Sequence, residues 1–182
     1  RDTVLSRGLG DVYKRQAPWS VAQVRQNSKN SAREAFPRLF GDQWKDALDF
    51  FYKVFKKVHL TGIQPLPGAE NLLQFLREEG VYSGIISNKN GTFLRKEIKK
   101  LDWNKYFDNV LGANDLDVDK PSKEIIDALL EETEILPSKS VWFIGDAIVD
   151  LECAYMAKCT PIILETGSIT KEAVSYTHLR AH

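Results

Sequence analysis

Residues 140–150 read Ser-Val-Trp-Phe-Ile-Gly-Asp-Ala-Ile-Val-Asp. Ser140 to Ile144 is a short, largely apolar run rich in β-formers and closed by Gly145 and Asp146, the pattern of a buried strand. An apolar stretch of helical character continues to about Lys158, and Pro161 to Leu164 gives a further strand. A strand leading into a helix and back into a strand is the repeating unit of a parallel α/β sheet. Gly145 lets the chain turn sharply off the strand. Asp146 then stands at the strand tip and Asp150 one turn into the helix, so both carboxylates can face one point. Two hard oxygen ligands on one short segment suit Mg2+, which takes one or two carboxylates and keeps several waters. The same spacing also serves a helix-capping acid followed by a solvated one.

The same alternation extends toward the N-terminus. Ser122 to Thr133 has an amphipathic helical pattern, and Asn109 to Gly112 is a brief strand. Thr92 to Leu101 is helical, and Val81 to Ser87 is a buried strand that runs into the polar loop Asn88-Lys89-Asn90-Gly91. Ala69 to Glu79 is a helix stopped by Gly80, preceded by a turn at Pro65, Pro67 and Gly68. Before it the character changes to helices alone. Asp42 is placed to cap a helix that reaches about Leu60 and stops by Gly62, with Trp44, Leu48, Phe51, Phe55 and Val58 on one stripe. Ser31 followed by Glu34 matches a capping box, and Ser20 is a second N-cap for a short polar helix. The fold class expected is α/β, a Rossmann-like three-layer parallel sheet beside a small helical subdomain.

Composition narrows the function. The 182 residues are 43% apolar and 27% charged, which is globular. Lys plus Arg and Asp plus Glu are both 25, so no charge excess argues for nucleic acid or an anionic membrane as partner. No apolar run approaches the ~20 residues needed to span a bilayer. Two cysteines, Cys153 and Cys159, make a disulfide framework improbable and a reducing, cytoplasmic setting the default. The first 30 residues hold no apolar signal segment.

The two ends stand apart. Residues 6–16 and 174–182 can be encoded by an inverted DNA repeat, for which folding gives no reason; they resemble translated sequencing adapter. Residues 1–16 and 174–182 are therefore set aside. They carry Arg1, Arg7, Lys14, Arg15 and Arg180 against Asp2 and Asp11, so the interior is acidic on balance. His59 is the one histidine left, near a helix end where a histidine is electrostatically comfortable.

In an open parallel sheet, ligands bind beyond the carboxyl ends of the strands. Ser87 and Asn88 end one strand, Asp146 ends another, and Lys120 lies in the loop beyond the strand at 109–112. Ser87 and Asn88 can donate hydrogen bonds to phosphate oxygens, although Ser and Asn are also common turn residues. Lys120 is a point charge that could neutralise a phosphate or a nucleophilic carboxylate, or simply be solvated. Asp115, Asp117 and Asp119 read as an acidic loop, Cys153 and Cys159 as packing, and Arg33 and Arg38 as surface arginines.

Ile85-Ile86-Ser87-Asn88-Lys89, Lys120-Pro121 and Phe143-Ile144-Gly145-Asp146 with Asp150 and Cys153-Ala154, in that order, resemble three motifs of the haloacid dehalogenase superfamily. The turn Leu66-Pro67-Gly68-Ala69 is similar to the one leading from cap to core in its phosphoglycolate-phosphatase-like members. The resemblance implies a helical cap over residues 17–62 and an α/β core over 63–173. It implies that Ser87 and Asn88 bind the phosphoryl group, that Lys120 holds nucleophile and phosphate together, and that Asp146 and Asp150 ligate Mg2+ or orient its water. It implies a small phosphorylated metabolite as substrate and an aspartyl-phosphate intermediate. The superfamily's first motif, Asp-x-Asp after an apolar strand, is absent ahead of the cap, so the first core strand and the nucleophile are expected to be missing and the chain inactive. A sugar phosphomutase and a non-catalytic binding module of the same fold are the alternatives.

Overall fold

The computed structural model describes Ser20 and residues 30–164, which fall into two compact units divided between Gly112 and Ala113. The Ser20 helix expected above lies almost wholly outside the described residues.

In the first unit, helix α1 (Ala32–Phe40) starts as its sequence dictates: the Ser31 hydroxyl accepts the Glu34 N–H at 3.3 Å. Gly41, at φ +54, breaks the helix, and a three-residue 3₁₀ turn (Gly41–Gln43) leads into α2 (Trp44–Val58). Asp42 is thus inside the turn and does not cap α2, whose N-cap Gln43 makes no side-chain bond. The helix stops at Val58, short of Leu60. Phe36 packs on Phe40 and Phe51 with ring centroids 5.1 and 5.4 Å apart, which locks α1 to α2.

Helix α3 (Ala69–Glu78) is followed by strand β1 (Gly84–Asn90), helix α4 (Gly91–Lys100) and strand β2 (Asn109–Ala113), and β1 pairs with β2. The strand expected at 81–87 is displaced three residues toward the C-terminus. The cause is at both ends. Val81 donates its N–H to Leu76 O at 2.9 Å and so belongs to the wrapped end of α3, where Gly80 takes φ +67. Asn90 caps α4 by accepting the Thr92 N–H at 3.1 Å, which keeps the chain extended up to that residue. Phe93, Leu94, Glu97 and Ile98 form the buried face of α4.

In the second unit, helix α5 (Glu124–Leu130), strand β3 (Trp142–Gly145), helix α6 (Ile148–Met156) and strand β4 (Thr160–Ile163) follow in order. β3 and β4 are parallel, with Trp142 opposite Thr160 and Gly145 opposite Ile163. The core is Ile125, Ile126, Leu129 and Leu130 of α5 with Leu151, Cys153 and Ala154 of α6.

The α/β class stands, with one difference. Among the described residues the four strands form two two-stranded sheets, β1–β2 and β3–β4, not one continuous sheet. The burial shows why this is a real departure. A parallel sheet covered on both faces buries both side-chain rows of a strand, yet Trp142 is 67% and Ile144 48% exposed on β3.

Candidate active site

Asp150 is the third residue of α6, and its carboxylate is held from two sides. Oδ2 accepts the backbone N–H of Ala147 at 2.9 Å and of Asp146 at 3.1 Å. Ala147 has no side-chain acceptor, so Asp150 caps the helix start from within its first turn. Oδ1 accepts Lys120 Nζ at 2.6 Å, in a pair nearly closed to solvent. The Lys120 ammonium also lies 5.9 Å from the centroid of the Phe143 ring on β3. The protein itself engages both oxygens of Asp150, and Asp146 stands half-buried just beyond the end of β3.

Gly145 also has a different reason to be glycine than the sharp turn expected. It is not among the glycines with positive φ. A Cβ there would instead come within 3.0 Å of Asp150 Oδ2, Cγ and Cβ, so the residue is bare to let the Asp150 carboxylate lie against the chain.

The loop bearing Lys120 has a second anchor. Cys153, one turn beyond Asp150, donates its thiol to Ser122 O at 3.1 Å. Burial pushes this thiol above its ordinary value, against the opposite pull of the Lys120 charge. Sequence reading treated Cys153 as packing. The signal that could have found it is the spacing Asp150-x-x-Cys153, which puts acid and thiol on one helix face. The bond between Lys120 and Pro121 is cis.

Ser87 and Asn88 lie in the first unit, within β1 rather than at its tip. Ser87 Oγ accepts the Lys89 N–H at 3.1 Å, which leaves the hydroxyl its own proton to donate. Asp115 and Asp117 are exposed in the loop after β2, while Asp119 is buried. His59, just past α2, has its side chain buried and bonded to Glu97 of α4 at 3.2 Å. Arg38 is exposed and bonds Glu34 O.

Among the described residues no three His, Cys, Asp or Glu side chains gather into a metal-binding cluster. The local donor set is Asp146 with Asp150 behind it. That fits a hydrated Mg2+ held by one carboxylate and completed by water or phosphate oxygens, and does not fit an all-protein cage. No helix among the described residues is long and apolar enough to cross a membrane.

Residues 7–164 match the family model described as haloacid dehalogenase-like hydrolase, a span that begins inside the segment 1–16 set aside above. Phosphoglycolate phosphatase of Escherichia coli (strain K12) is 28% identical over 124 residues, which is 68% of this chain and 49% of that protein. The chain spans about half the length of the curated relatives it matches. A crystal structure of a HAD-superfamily hydrolase from Ehrlichia chaffeensis is 30% identical, with a TM-score of 0.62 over 98% of this chain and 86% of that one. A hydrolase from Pseudomonas syringae, at 18% identity and a TM-score of 0.78 over 97% of this chain and 82% of that one, shares the fold. With its Lys120–Asp150 pair, its Gly145-Asp146 strand end and this match along most of its length, the chain belongs to the haloacid dehalogenase-like hydrolases.

Proposed function

We propose that the protein carrying this chain is a Mg2+-dependent phosphomonoester hydrolase acting on a small phosphorylated metabolite in the cytoplasm. The observation that carries the reading is the buried Lys120–Asp150 pair directly behind Asp146 at the carboxyl end of β3. A lysine fixed by a carboxylate presents one positive charge at a set place, which is what a phosphoryl group in transfer requires. Nothing in composition argues for nucleic acid or a membrane surface as partner.

In this reading Lys120 neutralises phosphoryl oxygens and Asp150 keeps its ammonium in place. Ser87 donates its hydroxyl proton to a phosphate oxygen, with the Asn88 amide beside it. Bound Mg2+ would be held by Asp146, with Asp150 orienting from behind, and would supply further neutralisation of the phosphoryl oxygens. The nucleophile would be an aspartate: it attacks phosphorus and displaces the substrate alcohol to form an aspartyl phosphate, which water hydrolyses to inorganic phosphate and the free aspartate. Residues 17–62 act as the cap and 63–173 as the core.

The test has two arms. The 182-residue chain, assayed with p-nitrophenyl phosphate and Mg2+, is expected to show no turnover, and the chain extended upstream through an Asp-x-Asp motif is expected to show it. Turnover by the 182-residue chain that survives purification and disappears in Asp146→Ala defeats the claim of inactivity. An extended protein that carries Asp-x-Asp and still leaves every phosphomonoester untouched defeats the phosphatase reading.

A further inference from the structure

Glu97 is the one acid on the buried face of α4, beside Phe93, Leu94 and Ile98. A carboxylate taken from water must be paired or hydrogen-bonded, and Glu97 is both. Oε1 meets His59 Nδ1 at 3.2 Å, and the His59 side chain is only 2% exposed. Oε2 takes the Lys89 ammonium. Three elements converge here: the residue after α2, the middle of α4 and the end of β1. The surroundings fix the arrangement further. The His59 ring stacks on Phe55 and meets Phe93 edge-on, at 5.3 and 4.8 Å, and Lys89 Nζ lies 5.9 Å from the Phe55 ring centroid.

Lys89 is also the residue whose backbone N–H is accepted by Ser87 Oγ. Its side chain is tied to Glu97 while its main chain sets the direction of the Ser87 hydroxyl. We propose that Glu97 is a positioning residue: through Lys89 it fixes the Ser87-Asn88 segment of β1, and through His59 it ties that segment to the end of α2. The inference rests on the phosphate-binding reading of Ser87 and Asn88 for its purpose. Its geometry is independent of that reading.

The experiment uses the full 182-residue chain, labelled with ¹⁵N, and inorganic phosphate as the probe. Wild type, Glu97→Gln, Lys89→Met and His59→Gln are compared by phosphate titration and by amide hydrogen exchange. In Glu97→Gln and in Lys89→Met, exchange at Ser87, Asn88 and Lys89 is expected to quicken by about tenfold while Leu151 and Ala154 stay unchanged. Phosphate affinity at Ser87 and Asn88 is expected to fall by a similar factor. His59→Gln, which keeps a donor for Glu97, should retain most of the wild-type behaviour at Ser87. Exchange that rises equally throughout the unit, or nowhere, in both Glu97→Gln and Lys89→Met overturns the proposal. Absence of any phosphate effect at Ser87 and Asn88 in wild type defeats the binding reading instead, and the exchange pattern still decides the positioning role. If Glu97→Gln does not fold, Lys89→Met, which cuts the same link at its more exposed end, decides it alone.

Discussion

Lys120 Nζ lies 2.6 Å from Asp150 Oδ1, with the two side chains 11% and 6% exposed. Removing one partner of such a pair strands a buried charge, which costs about 3–5 kcal/mol, whereas replacing both groups together costs far less. Lys120→Met should therefore destabilise the chain by about 3 kcal/mol in urea unfolding. The double variant Lys120→Met/Asp150→Asn, which keeps an acceptor for the Ala147 N–H, should be the more stable of the two.

Gly145→Ala tests the close approach of Asp150. The new Cβ would overlap the Asp150 carboxylate, and relief requires the helix-capping bonds or the Lys120 pair to shift. The expected loss is about 2 kcal/mol or more. In an Asp150→Ala background the nearest carboxylate atoms are gone, and Gly145→Ala should then cost clearly less. A double-mutant cycle measured by urea unfolding reads the coupling.

Burial raises both Cys153 and Cys159 above the ordinary thiol value of 9.0. The fold thus favours the neutral thiols. Their contribution is fully present below about pH 9 and declines as pH rises from there toward the folded-state values, because the unfolded chain releases its thiol protons first. Urea midpoints taken from pH 7 to 10 should fall at the alkaline end, and less steeply in Cys159→Ala. Iodoacetamide at pH 8 should leave both thiols largely unmodified unless urea is present.

Burial also ranks substitutions in the second unit. Ile125 is 1% exposed and Trp142 67%. Ile125→Ala should cost about 3 kcal/mol through lost transfer and cavity energy, and Trp142→Thr should stay within about 0.5 kcal/mol. Thermal unfolding of the two variants checks the order.

The sequence made some of this legible and hid the rest for physical reasons. Helices α3 to α6 and the four strands follow from apolar periodicity, because burying one face is what forms them. Lys120, Asp146 and Asp150 could be found because the strand that carries the acids ends where the apolar run stops. The direction of the Asp150 carboxylate could not, since it depends on which of two competing partners, an open site or the amides of Asp146 and Ala147, wins in three dimensions. Nor could the place of Ser87 within β1, which is set by a cap at Asn90 and a hydrogen bond from Val81 to the preceding helix. Glu97 was visible as an acid among apolar helix positions. What it binds depends on Lys89 across the turn from β1 into α4 and on His59, distant in sequence and brought near by the packing of α2 on α4.

The pairing of β3 with β4 has a kinetic consequence. Strand, helix and strand are consecutive from Trp142 to Ile163, so every bond between the two strands closes a loop of only about 20 residues, and loop-closure entropy rises with length. A parallel pair needs a crossover of about a dozen residues or more, and the connection between β3 and β4 is close to that lower limit. The β3–α6–β4 unit can assemble from its own residues once Leu164, whose N–H bonds Gly145 O at 2.8 Å, has joined the chain. The end of β3 that presents Asp146 would then complete its pairing with β4 without waiting for residues outside 142–164.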